Sequence, residues 1–172
     1  MLRFVVTSSI LLLTFLLQTT LPFIHVFGIA PNAAIVVLVS FSILKEESHG
    51  ATMGFCGGLL HDLFFSSVIG FNAFIYMTIG FLSGKPFKEF NTENYLLPML
   101  LVAIATFFYN FANYVFHFLF RARLNLLDYA WSIMLPSVLY NVILTFPVYL
   151  IVFAVNKRLE AYENPHRKVF GK

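Results

Sequence analysis

Long apolar blocks separated by short polar breaks organise the chain, and their lengths predict helices that cross a membrane. The first block covers residues 4–21, with Arg3 before it and Pro22 after it. A secretory leader would open in the same way, but no small-x-small cleavage site occurs between Gln18 and Pro22, so this block is expected to stay as a helix. The second, from about Phe27 to Leu44, stops at Lys45-Glu46-Glu47; Pro31 suits a first helical turn, where its missing N–H would be unpaired in any case, so a helix start near Ala30 is expected. Two shorter blocks, Gly50–Phe65 and Gly70–Gly84, flank a Ser66-Ser67 break and are compatible with two full spans or a re-entrant hairpin. Blocks from about Tyr95 to Phe120 and Trp131 to Val155 follow, then a polar, basic tail over 156–172.

Composition removes the alternative of a water-soluble globule. The 172 residues are 59% hydrophobic and 11% charged, with a mean hydropathy of +0.83. A soluble domain averages roughly 45–50% apolar and about 25% charged, and a chain this short cannot hide such an excess inside. The expected fold is all-α: a polytopic membrane bundle of about six transmembrane helices over 1–155, with the tail as a cytoplasmic extension.

Charge then sets the orientation. Nine of the eleven lysines and arginines fall at the N-terminus, in the 45–49 and 85–94 loops and in the tail. Because cytoplasmic segments carry the excess of Lys and Arg, both termini are expected in the cytoplasm, with Arg121 and Arg123, beside Asp128, as the exception. The basic residues form no stripe, so nucleic acid is not an expected partner despite the net charge of +3. Cys56, the single cysteine, cannot form an intrachain disulfide and is read as a small packing residue.

Candidate chemistry sits inside the blocks. Gly50, Gly54, Gly58 and Asp62 recur every four residues, so they share one helix face with no bulk until the carboxylate. Asn72, Tyr76, Gly80 and Gly84 repeat the spacing in the next block. Small residues let helix backbones approach in lipid, where association depends on packing and polar contacts; these faces are candidates for helix packing or partner docking, with Asp62 and Asn72 near the same end of an antiparallel pair. A carboxylate inside an apolar segment needs a partner. For Asp62 the alternatives are a proton or cation relay, a ligand contact, or bonding to Asn72 or loop backbone. The bonded reading predicts that Asp62→Asn is better tolerated than Asp62→Leu.

A second polar set comprises Thr106, Asn110, Asn113 and His117 in the fifth block, faced by Ser137, Tyr140, Asn141 and Thr145 in the sixth. Such stripes must face protein or water. They either bond helix to helix or line a small-ligand cavity. Pro136 and Pro147 are expected to kink the sixth block. His117 has no second His at helical spacing, so no metal site is expected. No nucleophile elbow, zinc-protease motif or phosphate loop occurs; neither catalysis nor a cofactor is expected.

The run GFCGGLLHDLFFSSVIGFNAFIYMTIGFLSG, residues 54–84, resembles the signature region of the MreD family of rod shape-determining membrane proteins. Pro31-Asn32 is similar to that family's Pro-Asp, with Asn32 replacing the acid, and Pro136 with Tyr140-Asn141 matches its Pro-x-x-x-Tyr-Asn pattern. The amide keeps shape and hydrogen bonding but not charge, which favours a structural place for Asn32 in the bundle interior. The resemblance implies a non-enzymatic subunit of the bacterial elongation machinery in the cell membrane. Its implied partners are the single-span protein MreC and, through it, MreB filaments and the peptidoglycan synthases; a homodimer stays open. It also implies a bundle similar to the substrate-binding subunits of energy-coupling-factor transporters. From that follows an alternative: a small-molecule-binding transporter subunit with Asp62, Asn72, Asn110, Asn113, His117 and Asn141 lining a pocket.

Overall fold

The computed structural model describes residues 2–20, 31–66, 68–88, 95–121 and 126–163. Their order is α1 (Leu2–Thr20), α2 (Ala33–Ile43), α3 (Glu47–Phe65), α4 (Phe71–Gly84), a 3₁₀ turn (Lys85–Lys88), α5 (Leu96–Arg121), α6 (Leu126–Tyr129), a π-helical turn (Ala130–Met134) and α7 (Leu135–Glu163). Since α6, the π turn and α7 follow one another without a break, the described residues form six helical rods.

The shortest rod is the hub. All of α2 from Ala34 to Ile43 is buried, and α1, α3, α4, α5 and α7 all pack on it. Its 11 residues rise only about 16 Å at ~1.5 Å each, too little to cross ~30 Å of hydrocarbon unaided. The helix starts at Ala33, later than the expected Ala30, because Asn32 rather than Pro31 makes the start. The Asn32 side chain caps it by accepting from the Ile35 N–H at 3.2 Å, and residues 21–30 lie outside those described.

Two other boundaries differ from the sequence reading. Glu47 opens α3 instead of belonging to a loop; an acid in the first turn complements the helix dipole. The last helix continues beyond Val155 to Glu163, through helix-forming Lys157, Arg158 and Leu159. The π turn precedes Pro136: Leu135 N–H donates to the Ala130 carbonyl, five residues back, where the proline ring would crowd the normal four-back pattern.

The outside of the bundle is apolar. Leu12, Leu16, Leu100, Ile104, Phe107, Phe111, Leu139, Ile143 and Phe146 are among the exposed large side chains. Segments Leu96–Phe116 and Leu127–Leu159 are long and apolar enough to span a bilayer, yet only 28% and 22% of their most apolar windows are buried in the protein. A core helix of a soluble protein would be mostly buried, so these faces meet lipid. Cys56 is exposed on α3, not packed inside as the sequence reading held.

Candidate functional site

The glycine seam zips α3 to α4 in antiparallel register. A Cβ on Gly50 would strike the Gly80 carbonyl, one on Gly54 the Tyr76 carbonyl, and one on Gly58 the Asn72 carbonyl and Ala73 backbone, all within 3.0 Å. At the far end, a Cβ on Gly84 would come within 2.6 Å of the Glu47 Cα. Backbone meets backbone along the whole seam, which only glycine permits. Gly57, outside that face, receives Leu11 of α1 instead.

Asp62 closes the other end of the seam. One carboxylate oxygen accepts from Gly70 N at 2.8 Å and Ala73 N at 3.0 Å, the other from Asn72 N at 3.2 Å and Asn72 Nδ2 at 2.8 Å. Four N–H donors and no acceptor face it, a set matched to an acceptor-only carboxylate. Three of them are backbone groups at the start of α4, which have no partner within their own helix. Gly70, at φ 104°, supplies the left-handed turn that aims its N–H back at Asp62. Asn72 thus stands beside Asp62 as the spacing suggested. Gly70 and Ala73 were missed as its partners, although the Gly-x-Asn-Ala run was the available signal.

A second network joins four helices at mid-bundle. Asn32 donates its backbone N–H to Asn141 Oδ1 at 3.0 Å, and its amide donates to the Tyr76 hydroxyl at 2.8 Å. Asn141 Nδ2 donates to Thr106 Oγ1 at 3.0 Å, and Thr145 donates to the Asn141 carbonyl at 2.7 Å. Asn32, Tyr76, Thr106 and Asn141 therefore tie α2, α4, α5 and α7 together. Tyr76, fully buried and ring-to-ring with Tyr109 at 5.6 Å, is the member that the sequence reading placed only on the seam.

The remaining stripe residues do less. Asn113 donates back to the Tyr109 carbonyl of its own helix at 2.9 Å. Asn110 and Ser137 are buried, with the Asn110 Nδ2 lacking a partner, and Tyr140 is half-buried. The side chain of His117 lies outside the described residues, as do those of Arg121 and Arg123. Among the described residues no group of three or more His, Cys, Asp or Glu is placed to hold a metal ion.

Thr106 and Asn141 touch directly, so the stripes of α5 and α7 are bonded across their middle. Among the described residues, an open-sided groove of about 120 Å³ lies between α4 and α5. Ile79, Leu82 and Ser83 line one wall, Leu101, Ile104, Ala105 and Phe108 the other. Both walls are nearly all apolar, and the volume is below the ~300 Å³ at which small-molecule sites begin.

A helical bundle with an apolar, lipid-facing perimeter and a hydrogen-bonded polar network inside defines an integral membrane protein. The chain belongs to the MreD family, whose model, described as rod shape-determining protein MreD, matches residues 1–158. It is 25% identical over 138 residues to the rod shape-determining protein MreD of Bacillus subtilis (strain 168), covering 76% of this chain and 78% of that one. No solved structure matches it. Family membership makes this a non-catalytic, shape-determining membrane protein.

Proposed function

We propose that the chain is the membrane scaffold of the rod complex, binding MreC and thereby helping to couple MreB filaments and the peptidoglycan synthases to lateral wall growth. The observation that carries this reading is the bonded network inside the bundle. Asn32, Tyr76, Thr106 and Asn141 hydrogen-bond one another across four helices. The apolar perimeter leaves ample surface for a single transmembrane helix, and the α4–α5 groove is the seat we assign to it, since small Ser83 and Ala105 leave room there for a partner's side chains. The glycine seam is not that seat, because α4 already fills it.

The basic residues support cytoplasmic termini, with the tail on the same side as the MreB filaments. Five rods around a short buried one are what support a likeness to the substrate-binding subunits of energy-coupling-factor transporters. Fold does not fix function, however, and a transporter subunit would need a polar pocket where Asn141 and Thr106 are joined.

Detergent co-purification with MreC tests the assignment. Ile104→Trp and Leu82→Trp, both at exposed groove positions, are expected to lower MreC recovery without lowering thermal stability. Undiminished recovery with both variants would remove the groove as the seat.

A further inference from the structure

We infer that the turn joining α3 to α4 lies within the hydrocarbon layer, so that the two helices form a lipid-embedded hairpin whose tip stops short of the opposite aqueous face. Length comes first. Glu47 begins α3 at the charged Lys45-Glu46-Glu47 boundary, and its 19 residues rise only about 28 Å. On the return, the 14 residues of α4 rise about 21 Å before Lys85. A hydrocarbon core is ~30 Å thick, so α4 cannot cross it alone and α3 reaches its far edge only when untilted; with tilt, Asp62, Asn72 and the turn sit below the far interface.

The surface of the tip agrees. Leu63, Phe64, Phe65, Val68, Ile69 and Phe74 are each between 42% and 68% exposed, and no charged residue occurs from Leu63 through Gly84. An aqueous turn would leave these side chains against water, with no hydrophobic gain to offset it.

The independent observation is how the polar groups of the described turn residues are paired, with Asn72 Oδ1 the one buried side-chain oxygen there that has no partner. Asp62 takes the N–H groups of Gly70, Asn72 and Ala73. Ser66 N–H donates to the Asp62 carbonyl at 3.1 Å, Phe74 N–H donates to the Gly70 carbonyl at 3.0 Å, and Val68 N–H donates to Ser66 Oγ at 3.3 Å. Water would satisfy a turn exposed to it; hydrocarbon satisfies nothing, so irregular backbone survives there only when the protein closes its own hydrogen bonds. Asp62 is thus the internal substitute for water at the start of α4. The occupant this favours is acyl chain rather than a protein partner, whose own polar groups would make such closure unnecessary. The inference does not depend on the MreC reading.

Tryptophan fluorescence in vesicles of the purified full chain tests it. In a Trp131→Phe background, Ile69→Trp is expected to emit at short wavelength, to be quenched by phosphatidylcholine brominated on its acyl chains, and to be untouched by aqueous iodide. Ile69 is exposed, so the indole is accommodated without repacking. Iodide quenching with no bromine effect would overturn the inference, as would an emission that turns apolar only after MreC is added. A second readout avoids tryptophan: with Cys56→Ser, Val68→Cys should resist a membrane-impermeant maleimide from either side until detergent is added, and ready labelling in intact vesicles would contradict the proposal.

Discussion

Asp62→Asn measures directly what the carboxylate does. The carboxamide retains one acceptor oxygen, so it keeps two of the four N–H donors and turns its own NH₂ toward the other two, whichever way it is oriented. Hydrogen bonds to a charged group contribute ~1.5–3 kcal/mol each, and a stranded buried donor costs about 1–3 kcal/mol. Allowing the turn to relax, the net loss should be about 2–4 kcal/mol, a large share of the ~5–15 kcal/mol that holds a typical protein together. At ~2–4 °C per kcal/mol for a chain of this size, Tm in detergent should fall by roughly 5–15 °C. Asp62→Leu strands all four donors and should fall further. An Asp62→Asn protein with wild-type Tm, or one less stable than Asp62→Leu, would refute the argument that donors at the start of α4 are what Asp62 serves.

Other expectations follow from the same geometry. Gly58→Leu, and even Gly58→Ala, should destabilise by about 1–3 kcal/mol or more, because the new Cβ meets Asn72 and Ala73 backbone that cannot move aside; Gly57→Ala should be far milder in the same melt, since its neighbour is the flexible end of Leu11. Asn141→Leu should lower Tm by more than Asn113→Leu: it strands the Asn32 N–H and frees Thr106, whereas Asn113 bonds only its own helix. Tyr76→Phe should cost about 1–3 kcal/mol, because it removes the hydroxyl that bonds the Asn32 amide and strands that buried donor, with the helical circular dichroism unchanged.

The two faces of the seam were legible in the sequence because both halves repeat at four residues, but their residue-by-residue register was not. Only about seven residues join the two blocks, so the helices had to run antiparallel, and that placed Asp62 and Asn72 near the same end. Periodicity shows which residues share a face, but not which foreign face they meet. Thus Thr106 and Asn141 were visible as members of two stripes, while their link through Asn32 to Tyr76 required a tertiary arrangement in which α2 is central. The start of α2 was misplaced because Pro31 and Asn32 are both good helix openers, and only the Asn32 bond to Ile35 shows which one acts. Nothing local announced the π turn before Pro136, and the apolar setting of Cys56 does not distinguish a protein-facing from a lipid-facing side chain.

If this lipid-dissolved bundle grips another protein's membrane segment, as proposed, the grip must reside in the partner's transmembrane helix. Co-purification from solubilised membranes with full-length MreC, beside MreC lacking its transmembrane segment, tests it most directly. The account predicts that the chain is retained by the full-length protein and lost with the truncated one. Loss with both would contradict it.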